Sequence, residues 1–460
     1  MAGEEEVDRS SEPSPEAASA FTPPKIQQAK LSNGLEVLLV EDHRLPLVHL
    51  GVVVKSGWAA DPRERFGTAA LTAELLDEGT KSRSALEIAE EAKRLGAHVS
   101  TGSFFDGSSI NLNVLKKNFD PALKLVADIV LNPTFPAEEL ERQRLIYLGR
   151  IKQESKQPFT VALKSYMRVL YGSEHPYSQP YTGSGTESSI KAISRSDLVR
   201  YYKAHYFPNN STVVVGGDIT LGEVKKKLEK AFKKWKRGAV AGWEVPRPQA
   251  PASTKIYLVD KPGAVQSVIA VGNLALSRSD ADYLAFKVMN NSFGGQFTSR
   301  LNLNLREDKG YTYGVRSFLI DTRGVGPFIC GTRVHLQYTK ESLAEIVREM
   351  RELVGDRPLS DVELTDSKNN LSKGFPQRFQ TYSGIAGQLS DLVLFDIPLN
   401  DWETYIDRVG EISGTMATKA AKDYVHPEGL VIVIVGDRKE IEEGLRELNV
   451  GEIEYLDEYN

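Results

Sequence analysis

Two stretches of this chain, STVVVGGD (211–218) and LVIVIVGD (430–437), repeat one pattern: a turn signal, a β-branched run, then Gly-Asp. Their aspartates, Asp218 and Asp437, stand about half of the 460-residue chain apart. A single fold occurring twice is the simplest source of such a repeat. Each half also opens on a strand-like run, LEVLLVEDHRLPLVHLGVVVKSG in the first and IYLVDKPGAVQSVIAVGN in the second. Between them, KRGAVAGWEVPRPQAPAS (236–253) concentrates Pro, Gly and Ala, the composition of a connection between domains. The expected organisation is a leader over 1–23, a first domain over 24–237, a linker over 238–253 and a second domain over 254–453.

Within each half the periodicity alternates between helical and extended. EIAEEAKRLG and FDPALKLVADIVLNP have helical spacing, and VSTGSFFDGSSINLNVL between them reads as a two-stranded hairpin. The succession recurs after Val315, with SFLIDTRGVGPFICGTRVH as the hairpin and KESLAEIVREMRELVG as the helix that follows. Hairpins mixed with helices point to an α+β sandwich rather than a doubly wound sheet.

The 57 basic and 62 acidic residues are scattered and sum to −5, so no broad positive field exists to attract nucleic acid. The single cysteine, Cys330, excludes an internal disulfide and any cysteine-clustered metal site, and reads as a buried thiol. No run approaches the roughly 20 apolar residues needed to span a bilayer. Residues 2–23, AGEEEVDRSSEPSPEAASAFTP, are acidic and rich in Pro, Ser and Ala, a flexible leader by composition. The expectation is a soluble protein, periplasmic if an export signal has been removed and otherwise cytoplasmic.

Several segments, in order and at matching spacing, resemble the insulinase/pitrilysin metallopeptidase family in its short, two-domain form. They are LSNGLEVLLVEDHRLPLV, VKSGWAADP, FGTAALTAELLDEGT, LVADIVLNPTFPAEELERQR, YGSEHPY, HYFPNNSTVVVGGD and FGGQFTSRLNLNLREDKGYTYGV, spread over roughly residues 26–440. The resemblance implies two homologous α/β sandwich domains, together an α+β chain related by internal duplication. Active members carry His-x-x-Glu-His on a helix before a Gly-Thr: two imidazoles one turn apart hold zinc, and the Glu activates its water. Counting back from Gly79-Thr80, the ligand positions fall on Ala70 and Glu74 and the general-base position on Ala73. The family's last ligand, a Glu on the helix after the PTFP turn, falls at or beside Arg150. The seven histidines, His43, His49, His98, His175, His205, His335 and His426, include no two at helical ligand spacing. No metal or other cofactor is therefore expected in this chain. The family's Asn-Ala pair on a substrate-pairing edge strand is replaced by Ser100-Thr101.

The second half keeps what the resemblance assigns to it. In LREDKGYTYGV, Arg306 and Tyr313 occupy the positions from which the family holds the carbonyl oxygen of a zinc-bound peptide, with Tyr311 a rival for the phenol. A guanidinium and a phenol are strong donors toward charge that develops on oxygen. The resemblance therefore implies a zinc-free subunit of a heterodimeric zinc peptidase. It would be inactive alone and would supply Arg306 and Tyr313 to the His-x-x-Glu-His site of a homologous zinc-binding partner acting on unfolded peptides. The alternative is a structural homologue with no catalytic contribution, in which Arg306 pairs within its own helix and Tyr313 is a strand residue. Gly294-Gly295 read as a helix stop rather than a phosphate cradle, and His175-Pro176-Tyr177 as a structural loop.

Overall fold

Each half builds one six-stranded sheet. In the computed structural model, which describes residues 21–242 and 244–457, the first sheet contains β1 (Gln27–Lys30), β2 (Glu36–Glu41), β3 (Leu47–Val54), β4 (His98–Ser103), β5 (Ser108–Leu115) and β6 (Ser211–Gly217). The second contains β7 (Lys255–Asp260), β8 (Gln266–Leu274), β9 (Thr312–Leu319), β10 (Pro327–His335), β11 (Val431–Gly436) and β12 (Glu452–Leu456). Their spatial orders are β1-β2-β6-β3-β5-β4 and β12-β7-β11-β8-β10-β9. Five strands correspond one to one in order and sense, including the parallel pairs β2/β6 and β7/β11, so the duplication read from the sequence is the architecture. The sixth breaks the symmetry: β1 comes from the chain's start and runs antiparallel to β2, whereas β12 comes from its end and runs parallel to β7.

The helices of the first half are α1 (Thr68–Glu74), α2 (Ala85–Leu95), α3 (Phe119–Leu131), α4 (Ala137–Glu154), α5 (Pro158–Tyr171), α6 (Glu187–Ala192), α7 (Arg195–His205) and α8 (Leu221–Ala231). Those of the second are α9 (Tyr283–Asn290), α10 (Arg300–Asn302), α11 (Thr339–Val354), α12 (Asp361–Gly374), α13 (Tyr382–Leu394), α14 (Asp401–Glu411), α15 (Gly414–Tyr424) and α16 (Arg438–Glu447). Among the described residues no helix is long and apolar enough to cross a membrane.

The β-branched runs that mark the duplication are apolar at every position because both sheet faces are covered. Val213 and Val215 belong to the core that contains α3, whereas Val214 faces the core that contains α13. In β11, Val433 and Val435 join the α5 side and Ile432 and Ile434 the α11 side. The covering helices are exchanged between halves: α5 of the first half lies on β11 and β8, and α13 of the second lies on β6 and β3. Hydrogen bonds anchor both. Tyr166 donates to the Phe328 carbonyl (3.1 Å) and Tyr171 to that of Val325 (2.8 Å), while the Tyr382 hydroxyl donates to Asp42 O (3.1 Å) and accepts from Leu45 N (3.1 Å). Pro158 at the first position of α5 and Thr381 capping α13 set where each helix starts.

Two expected boundaries move. The second half runs to the end of β12 at Leu456, past 453, because that strand completes the sheet edge beside β7. Phe21 lies inside the expected leader but packs on Phe375 and Phe379, with ring centroids 5.9 and 5.6 Å away. The rest of that expected flexible leader, residues 1–20, falls outside the described residues. Among the described residues no helix or strand lies between α8 and β7, the region of the expected linker.

Two core histidines make stability depend on pH. His49 on β3 and His205 on α7 are buried, each leaves Nδ1 without a hydrogen-bond partner, and burial holds each imidazole down at about 4. A folded-state pKa below the unfolded value of about 6.5 gives stability that is complete above 6.5 and is lost as pH falls toward 4. Each group should contribute at most roughly 3 kcal/mol. Urea midpoints should fall between neutral pH and pH near 4, and His205→Phe should flatten that dependence; an unchanged slope would count against neutral burial.

Candidate functional site

The helix that would carry a zinc motif is short and deeply packed. Gly67, at a φ of 98°, precedes α1, and the Asp61 carboxyl accepts from Gly67 N (2.8 Å) and Ala69 N (2.7 Å), so the helix start is capped by a side chain from the preceding loop. Ala70 and Ala73 are buried against the neighbouring β4 and α7, and they present methyl groups where a metal site needs lone pairs. Glu74 is half-buried. Burial raises its pKa, while Arg150 and a hydrogen bond with Tyr147 oppose that rise. Arg150, on α4, lies over the Tyr147 ring at 4.6 Å.

A carboxylate, a guanidinium and a phenol thus meet where the family places ligands. Glu78 extends this polar contact by accepting from Gln143 (2.9 Å) and pairing with Arg142, and burial pushes Asp77 up to about 6. Among the described residues no three His, Cys, Asp or Glu side chains converge on a point that could hold a metal. The donor set does not fit zinc: of the three ligand places one is a methyl (Ala70), one a cation (Arg150) and only Glu74 offers an oxygen, while the general-base place is a second methyl (Ala73). A chelator should therefore leave the melting temperature of the purified chain unchanged, a result that a thermal scan with and without EDTA reads directly.

The second half places Arg306 and Tyr313 on adjoining elements. After α9 the chain forms a π-helical turn, Asn291–Gly295, and after α10 a second, Leu303–Asp308, which carries Arg306 and packs on β9, which carries Tyr313. π-turns inside helices occur frequently at functional sites. Gly294 is required by the close approach of β9, since a Cβ there would lie 2.4 Å from Ser317 Oγ. Asn302 Oδ1 accepts from Val315 N (2.9 Å) and Tyr311 N donates to Leu305 O (2.9 Å), which fixes the strand against the helix.

Tyr313 is 93% exposed. Its rival Tyr311 is stacked on Tyr338 with centroids 4.5 Å apart, so only Tyr313 projects freely. Arg306 is partly exposed, lies over the Phe297 ring at 4.2 Å and has Nη1 3.5 Å from Glu307, yet that buried nitrogen lacks a hydrogen bond. Phe297 is itself 65% exposed, so the guanidinium packs on a surface ring, while Tyr313 is exposed on the strand against which the Arg306 turn packs.

Arg300 is the residue here that the sequence reading did not single out. It is buried, and its guanidinium donates to both carboxyl oxygens of Glu363 (2.6 and 2.7 Å) and to the carbonyls of Arg357 (2.7 Å) and Pro358 (3.0 Å). Two other features are structural: His175 caps Tyr177 N (3.0 Å) and bonds Pro246 O (2.8 Å), and Cys330 is buried. Ser100 and Thr101 lie on β4, which is an edge strand, as is its counterpart β9.

The fold is a duplicated α+β chain with exchanged helices and, among the described residues, no cluster that could hold a metal. Residues 36–179 match the family described as Insulinase (Peptidase family M16), and residues 192–371 that described as Peptidase M16 inactive domain. The chain belongs to the M16, or insulinase, peptidase family. It is similar to the non-peptidase homolog YmxG of Helicobacter pylori, 25% identical with 92% of this chain and 95% of that protein covered. It is also similar to an uncharacterized zinc protease YmxG of Bacillus subtilis, 25% identical over 75% and 82% of the two chains. A crystal structure of a peptidase M16 inactive domain from Pseudomonas fluorescens superposes with a TM-score of 0.83 at 27% identity, covering 90% of this chain and 98% of that one.

Proposed function

We propose that this chain is the zinc-free subunit of a two-subunit zinc peptidase. It presents Arg306 and Tyr313 to the active site of a homologous partner whose own His-x-x-Glu-His helix holds the metal, and the pair hydrolyses unfolded peptides. The observation that carries this reading is the exposure of Tyr313 on the strand against which the turn of a partly exposed Arg306 packs, in a chain whose own motif helix offers two methyl groups and an Arg-opposed carboxylate. A phenol left in solvent contributes little to its own core, and a partly exposed guanidinium whose nearest acid oxygen is 3.5 Å away retains donors for another oxygen.

A structural subunit with no catalytic contribution is the second reading. It is favoured by the packing of Arg306 on Phe297 and beside Glu307, and by the similarity to a Helicobacter pylori protein named a non-peptidase homolog. Purifying the chain alone and with a zinc-bearing homologue, then measuring peptide cleavage and bound zinc, tests the assignment. The pair is expected to form a complex and cleave with zinc held by the homologue. Activity with stoichiometric zinc in the isolated chain, or no complex at all, would overturn it.

A further inference from the structure

A second polar site lies within the C-terminal half, away from both the motif helix and the Arg306 face. α9, α14 and the segments 278–281 and 396–398 enclose a cavity of about 230 Å³. That is below the usual range for drug-sized ligands, so it suits a small metabolite.

The acids on its wall are already committed. Asp401 pairs with Arg408, Asp396 with Lys55 (2.7 Å) and Arg323 (2.9 Å), and Asp280 accepts from the Tyr424 hydroxyl (3.1 Å). Three donors are not. The Arg278 guanidinium makes no hydrogen bond, its closest acid being Asp321 at 3.6 Å, and it lies over the Tyr283 ring at 4.2 Å. The Lys287 ammonium makes no hydrogen bond: it lies 5.7 Å from the Tyr283 ring, with Asp321 and Asp391 the acids around it. The Tyr405 hydroxyl is buried with no hydrogen-bond partner, in a side chain that is only 5% exposed.

We propose that this cavity binds a small oxyanion, a carboxylate or a phosphate group, between Arg278, Lys287 and Tyr405. Donors left unbonded in a desolvated pocket carry a penalty that a charge-assisted acceptor removes. Around Lys287 stand Arg278 and Arg378 against Asp321 and Asp391, and the Tyr283 hydroxyl is committed to Asp321 (2.9 Å). Burial first, and then Arg378 and Arg278, hold the Lys287 amine down at about 8, and burial pushes Asp391 up to about 6, so both groups sit in a desolvated setting. The site is independent of the accessory-subunit reading.

Titration calorimetry on the intact chain, with inorganic phosphate and with succinate, each against chloride at constant ionic strength, tests the proposal and separates the two sources. One of the two should bind saturably at one equivalent. Lys287→Met and Arg278→Gln should each weaken binding at least ten-fold and Tyr405→Phe less. Should the variants fail to fold, the rate at which an amine-directed reagent labels Lys287 in the unaltered protein, read by peptide mass, should fall when the anion is present. Neither anion binding, variants binding as tightly as the parent, or labelling indifferent to the anion would each overturn it.

Discussion

Arg306→Ala, introduced into a reconstituted pair of this chain and a zinc-bearing homologue, should lower kcat for peptide cleavage by about 100- to 1,000-fold with the zinc content of the pair unchanged. The size follows from what the side chain would do: a donor aimed at an oxygen that becomes charged only in the transition state stabilises that state far more than the bound peptide. The loss should therefore fall on kcat more than on KM. Tyr313→Phe removes a hydroxyl and little else from a side chain that is 93% exposed, so it should lower kcat without changing the chain's stability. Tyr311→Phe is the internal control, because that ring is stacked on Tyr338 and its loss of a hydroxyl should leave cleavage unaffected. Unchanged cleavage in Arg306→Ala and Tyr313→Phe pairs would leave the structural-subunit reading standing.

The duplication was legible because both faces of β6 and β11 are covered, which makes Val213–Val215 and Val431–Val435 continuous apolar runs that stand out from an alternating background. The vacated metal place was legible for a local reason: ligands one helical turn apart must appear at fixed spacing, and Ala70, Ala73 and Glu74 are read directly. The polar group around that place was not, since Glu74 lies far in the chain from Tyr147 and Arg150 and they come together only in the folded chain. The exchange of α5 and α13 between halves was also hidden. An amphipathic helix declares which of its faces is apolar, but not which sheet will cover that face. The sequence equally left Tyr311 and Tyr313 on one strand face, and a single stacking contact with Tyr338, distant in the chain, separates them. The cavity around Lys287 draws on α9, α14 and the segment after α13, and no local pattern joins residues so far apart.

Arg300→Ala should cost about 3–5 kcal/mol of unfolding free energy, the range for breaking a buried ion pair from one side. The guanidinium is buried and makes four hydrogen bonds, two of them to Glu363, whose carboxyl also accepts from Ser360 N (2.8 Å) at the start of α12. Truncation would strand the Glu363 carboxylate and two carbonyls at once, and Arg300→Lys should restore little because an ammonium cannot span both carboxyl oxygens. The pH dependence offers an independent check. Hydrogen bonds from Arg300 and Ser360 outweigh desolvation and hold Glu363 down at about 2, below its unfolded value of 4.5. Its contribution is therefore present above 4.5 and lost as pH falls toward 2, and urea midpoints of the parent and Arg300→Ala should converge on acidification. Arg300 opens the helical segment whose next turn carries Arg306, so the same contacts that stabilise the half also aim its donor face. A loss below about 1 kcal/mol would mean that the segment is held by Asn302, Asn304 and the apolar contacts of Leu301 and Leu305 instead, and that Arg306 owes its position to them.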